Sequence, residues 1–179
     1  MKKYILLIFF VIAARQLCAQ DKTWPQRKLL GESDYKEAPD PRSPQLGYTQ
    51  LAVFYLLNER KPCAQKGLVH FTATTYTKIG SHSWIKPVAG PEQKKELLAH
   101  EQGHYDINLA FARTLKHQLD SCCFNDSSYK TQAAALYRTL FLQYDSLQLQ
   151  YDRETAHMTN RKEQLRWLEY IRHLLQQYP

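Results

Sequence analysis

The stretch Gly90-Pro91-Glu92-Gln93-Lys94-Lys95-Glu96-Leu97-Leu98-Ala99-His100-Glu101-Gln102-Gly103-His104 divides the chain. Pro91 suits the first position of a helix, where its missing N–H costs nothing, and Glu92 is favourable in the first turn. Leu97, Leu98, Ile107, Ala110, Phe111 and Leu115 then recur at helical spacing and predict a helix over 91–119. Upstream the period is two. In 67–77, Val69, Phe71, Ala73 and Thr75 alternate with His70, Thr72, Thr74 and Tyr76, the pattern of a half-buried strand. The segment 81–86 reads as its partner strand after a turn at Gly80, and 49–57 (TQLAVFYLL) as a buried strand. Downstream come a loop over 122–128 and a helix over 129–152 striped with Leu136, Leu140, Tyr144, Leu147 and Tyr151. After a break over 155–160 a final helix presents Leu165, Leu168, Ile171, Leu174 and Leu175. Strands followed by helices indicate an α+β fold, a small, mostly antiparallel sheet with long helices packed on one face.

The ends and the composition limit the function. Residues 5–14 (ILLIFFVIAA) are uncharged and apolar, too few to span a bilayer, which takes about 20 residues. With Lys2 and Lys3 ahead and Ala19 behind they read as a Sec-type signal peptide over 1–19, cut after Ala19. A lipoprotein cut before Cys18 would need small residues where Gln16 and Leu17 stand. The chain divides into this signal, an extended, loop-rich segment over 20–48 and a domain over 49–179. The formal charge of +7 includes Lys2, Lys3 and Arg15, so the mature chain carries only +4, which argues against nucleic-acid binding. A hydrophobic fraction of 44% is that of a folded domain and excludes disorder. No later run reaches membrane length. The expected protein is periplasmic or secreted, in a compartment that favours a disulfide from Cys63 to Cys122 or Cys123.

His100-Glu101-Gln102-Gly103-His104 is an H-E-x-x-H sequence. Residues four apart on a helix share a face, so both imidazoles can bind one zinc, and Glu101 stands beside them to take a proton from zinc-bound water. A catalytic zinc needs a third protein ligand. Ile107 and Ala110 exclude the long form of the motif, which requires Gly and His there. No Glu lies between Glu101 and Glu154; the acids in that interval are Asp106, Asp120, Asp126, Asp145 and Asp152. The polar cluster Tyr151-Asp152-Arg153-Glu154-Thr155-Ala156-His157 offers His157 as third ligand, with Glu154 as the alternative. Asp152 and Glu154 otherwise read as solvated helix-end charges. Tyr151 could supply a hydroxyl to a developing oxyanion, or be a core tyrosine. Asp106 could hydrogen-bond a ligand histidine. His70, His82, His117 and His173 read as ordinary surface or strand residues, and Trp84 as core or as cleft lining.

These pieces resemble a known family. Ser83-Trp84, the run from Leu97 to Ile107, and Tyr151 to His157 are similar to the bacterial secreted proteins catalogued as domain of unknown function 922, described as predicted secreted zinc-dependent proteases. Ser33-Asp34-Tyr35 resembles that family's early tryptophan-aspartate-phenylalanine element, and the likeness covers roughly 28–172. The family has Gly after the late histidine, where Met158 stands here. The resemblance implies a zincin-like peptidase domain with His100 and His104 as zinc ligands and Glu101 as base, and it draws attention to His157. The resulting expectation is an exported zinc metallopeptidase acting on a peptide or protein substrate. The alternatives are a non-catalytic envelope module that retains a metal site, or an amidase acting on cell-wall peptides.

Overall fold

The structure is a computed structural model and describes residues 24–178; the expected signal peptide lies outside the described residues. The order of elements is β1 (Gly47–Tyr48), β2 (Leu51–Pro62), β3 (Leu68–Ile79), β4 (Trp84–Ile85), α1 (Pro91–Ser121), β5 (Cys123–Asn125), α2 (Tyr129–Thr155) and α3 (Arg161–Gln176), with a 3-10 turn at Glu32–Asp34. β2, β3 and β5 form a three-stranded antiparallel sheet in that order, and β1 pairs with β4 in a separate two-stranded ribbon. The fold is α+β, a small antiparallel sheet with three helices, as the strand-then-helix pattern predicts.

α1 is the axis of the molecule. Its C-terminal half lies on the sheet, where Phe111, Ala112, Leu115 and Leu119 meet Val53, Val69, Phe71, Ala73 and Phe124. Each of the leucines, fully removed from water, contributes about 2 kcal/mol of hydrophobic free energy. Lys116 is buried there without an orphaned charge: it donates to Ala73 O at 2.7 Å and to Asp120 at 2.8 Å. The N-terminal half of α1 packs on α2 and α3 through a smaller cluster of Ile107, Tyr151, Trp167 and Ile171.

Four sequence expectations change. Strand 49–57 is not buried on both faces, because helices cover only one side of the sheet. Leu51, Val53, Tyr55 and Leu57 turn inward, while Phe54 and Leu56 remain 43% and 56% exposed. The segment 81–86 contributes only Trp84–Ile85, paired with β1 and not with the preceding strand. The chain leaves the sheet after Ile79, and Ser83 holds the corner by accepting from Gln50 N and donating to Gly80 O. The supposed loop 122–128 contains β5, tied to the end of β2 by the Cys63–Cys123 disulfide and anchored by buried Phe124; Cys122 is free. On α3, Leu165 faces solvent and the buried residues are Gln164, Trp167 and Ile171.

The segment before β1 runs along α1 as a strap. Arg27 makes a two-bonded pair with Asp106 at 2.8 and 2.6 Å. Gln102 accepts from Leu30 N and donates to Lys28 O and to Asp106. These bonds lead the chain to β1, above Glu101.

Candidate metal centre

α1 presents His100 and His104 one turn apart, and the end of α2 brings Asp152 between them. Asp152 Oδ1 lies 3.2 Å from His100 Nε2, 3.0 Å from His104 Nε2 and 3.2 Å from His157 Nδ1. One donor atom each from His100, Asp152 and His157 all fall within 4.8 Å of one another. Two ligands held about 2.0–2.1 Å from a tetrahedral zinc stand about 3.3 Å apart, so the spacing suits that ion.

The imidazoles are oriented from behind. His104 Nδ1 donates to Gln148 Oε1 at 2.6 Å, and Gln148 Nε2 donates back to His104 O. His100 Nδ1 donates to Gln164 Oε1 at 3.0 Å. The Gln164 amide is set in turn, since its Nε2 donates to the Tyr151 hydroxyl and that hydroxyl donates to His100 O. With both Nδ1 protons claimed, the Nε2 lone pairs point at the Asp152 carboxylate. Such atoms at about 3 Å repel unless a cation stands among them. A proton can serve without metal. Burial works against charge on His104, yet the bond to Asp152 and the nearby carboxylates raise its pKa. Burial also opposes charge on Asp152, and the bonds from His100 and His104 outweigh it, holding the carboxyl well below its usual range. The donor set therefore fits a divalent cation with nitrogen and oxygen ligands.

His157 reaches the cluster by an unusual turn. Ala156, His157 and Met158 are all left-handed, with φ of 45°, 47° and 77°. Side chains rarely adopt this region, and the cost is about 1–2 kcal/mol per residue. The turn is held by His157 N donating to Asp152 O, by Asn160 N donating to Thr155 O, and by burial of Met158. Position 158 is where the resembled family carries glycine, the residue that takes such a φ without strain.

Glu101 sits beside the donors and is almost fully buried. Thr49 Oγ1 donates to its carboxylate, and the Tyr35 hydroxyl lies 3.2 Å from Thr49 Oγ1, forming a chain from strap to helix. Gly47 makes the close approach possible, because a Cβ there would meet Glu101 Oε1 at 2.2 Å. Gly103 does the same for α2: a Cβ would meet the Tyr151 hydroxyl oxygen at 2.3 Å. A cleft of about 240 Å³ opens over the site, walled by β1 on one side and by α2 on the other.

The structure thus brings His100, Glu101, His104 and His157 together. It does not bring Glu154, whose carboxylate accepts from Trp167 Nε1 at 2.9 Å, Arg166 and Gln150. Tyr151 is a core residue: its ring stacks on His100 at 4.7 Å and its hydroxyl is spent on His100 O and Gln164, away from the position an oxyanion would take. Asp106 holds Arg27 and no histidine. His70, His82, His117 and His173 lie elsewhere, His70 against Asp120 O and His173 against Glu169. The sequence offers Asp152 only as one acid of the polar cluster, with a solvated helix-end charge as its other reading, and Gln148, Gln164, Thr49 and Tyr35 are not among the candidate site residues it gives. The one available signal was the density of polar residues at 151–157.

Residues 92–158 match the family model described as a bacterial protein of unknown function (DUF922). The match begins in the first turn of α1 and ends one residue past His157, so it spans every donor described above. It is narrower than the likeness over 28–172 and leaves out β1 to β4, the strap and Gln164. No curated protein and no solved structure matches the chain.

Proposed function

We propose that this chain is an exported, zinc-dependent metallopeptidase of zincin-like design, related to the DUF922 proteins. The observation that carries the reading is the convergence of the His100, Asp152 and His157 donor atoms, with His104 Nε2 3.0 Å from Asp152, in an open cleft that Glu101 also lines. The Cys63–Cys123 disulfide supports export to an oxidising compartment, as does the expected signal peptide. Among the described residues no helix is long and apolar enough to cross a membrane.

His100, His104 and one of Asp152 and His157 would hold the metal, leaving a fourth position for water. Zinc, when bound, supplies Lewis acidity and lowers the pKa of a water there to about 7. Glu101 takes the proton of the attacking water and returns one to the leaving amine. Thr49 fixes the direction of that carboxylate, and Gln148 and Gln164 keep the imidazole lone pairs aimed at the metal. β1 and α2 wall the cleft in which an extended peptide would lie.

A second reading rests on the number of donors. Four protein ligands fill a tetrahedral site, the arrangement of structural zinc, and would suit a non-catalytic envelope module. One experiment separates the two: the purified full chain is assayed for zinc and incubated with peptide mixtures that include cell-wall peptides. The peptidase reading expects one zinc per chain and hydrolysis that Glu101→Gln lowers by about 10²–10⁴-fold while zinc is retained. Full hydrolysis by Glu101→Gln would refute the mechanism. Bound zinc with no cleavage at any pH would favour the module.

A further inference from the structure

The cleft has a chemical character that its metal end does not explain. The protein carries 24 Lys and Arg against 17 Asp and Glu, yet no Lys or Arg is among the residues lining the cleft. Its acids are Glu101, Asp152 and Asp145. Glu101 accepts from Thr49, and Asp152 faces the three histidines. Asp145 has no ion-pair or hydrogen-bond partner among the described residues.

Phe141, Tyr144, Asp145, Gln148 and Asp152 all line the cleft from α2, at spacings that keep them on one helical face. Asp145 stands seven residues from Asp152, about 10 Å along the helix. Beside Asp145, on its side away from Asp152, is an aromatic wall: Tyr144 stacks on Phe111 at 5.4 Å, and Phe141 packs on Phe111 at 6.5 Å while remaining 44% exposed. The Tyr144 hydroxyl is taken by Thr114, so this residue offers the cleft its ring.

We propose that this end of the cleft is a subsite for a lysine or arginine side chain of the substrate. The long aliphatic stem lies along Phe141 and Tyr144, and the cationic tip pairs with Asp145. A short side chain placed beside the metal would not span the two turns to Asp145, and an acidic one would meet its charge. The proposal rests on the peptidase reading for the direction in which the peptide enters, and names the class of peptide that reading lacks.

The test uses zinc-loaded full-length protein and matched peptides that differ at one position, carrying Lys, Arg, Leu or Glu. Cleavage is measured for the parent, Asp145→Lys and Phe141→Ala. Binding of the same peptides is measured on Glu101→Gln, alone and combined with Asp145→Lys. An ion pair and a cation–π contact together predict a preference of about tenfold for Lys or Arg over Glu. Asp145→Lys is expected to reverse it with zinc content unchanged, and Phe141→Ala to weaken binding of basic peptides. Cleavage without a basic preference, or a preference that Asp145→Lys leaves intact, would overturn the subsite and spare the peptidase. Binding that prefers basic peptides and is reversed by Asp145→Lys, with no hydrolysis, would keep the subsite and overturn the peptidase. Neither binding nor cleavage of any peptide would overturn both.

Discussion

The C-terminal half of α1 is gripped mainly by hydrocarbon, and the half that carries the histidines adds to a smaller apolar cluster a set of amides, hydroxyls and carboxylates. Below Ala110 the helix meets Phe71, Leu140 and Phe124 in a continuous apolar core. Above it the neighbours are Gln148, Gln164, Tyr151, Thr49 and Arg27, each placed by a specific hydrogen bond. Apolar packing is roughly proportional to area and tolerates small displacements, whereas a hydrogen bond to a ring nitrogen fixes direction. One helix therefore has a half that supplies stability and a half that supplies aim, and substitutions should separate the two.

Leu115→Ala should give the largest effect on folding. It leaves a cavity at a fully buried position and should cost about 2–5 kcal/mol in urea unfolding, with zinc affinity per folded molecule unchanged. Loss of zinc affinity in the folded fraction would mean that the two halves are coupled. Gln148→Leu and Gln164→Leu should do the reverse: zinc affinity falls about 10–100-fold by competition with a chelator, while the metal-free protein loses about 1 kcal/mol. Equal losses of affinity and stability would erase the distinction. Arg27→Ala should have the smallest effect, under about 1 kcal/mol, because that guanidinium is 42% exposed and its pair with Asp106 is partly screened. Zinc affinity should stay within twofold or so, unless the strap reaches the histidines as well as Glu101.

The same division explains what could be read from the amino acids. Phe111, Leu115, Val69 and Phe71 announce their positions because hydrophobicity repeats at the period of the element. His100, Glu101 and His104 announce themselves because one turn of one helix holds them. Asp152 could not, since its partners are 52 and 48 residues away and an acid at a helix end is ordinarily solvated. Gln148 and Gln164 have no signature, because a neutral amide on a helix reads as surface. Gln164 also rotated the reading of α3: hydrophobicity placed Leu165 inward, but the bonds from Gln164 to Tyr151 and His100 turn that leucine out. Sequence adjacency pairs 81–86 with the strand before it, whereas the corner held by Ser83 sends Trp84–Ile85 to β1.

The left-handed turn at 156–158 gives the molecule a built-in reporter. His157 is the one histidine of the set that no helix holds, and its backbone sits in a left-handed conformation that costs about 1–2 kcal/mol. The amides of His157 and Asn160, bonded to Asp152 O and Thr155 O, bracket it. Their hydrogen exchange should slow when a cation joins the imidazoles and quicken when a chelator removes it, while the amides around Leu115 stay indifferent. Two backbone protons would then read the occupancy of the site without any substrate being known.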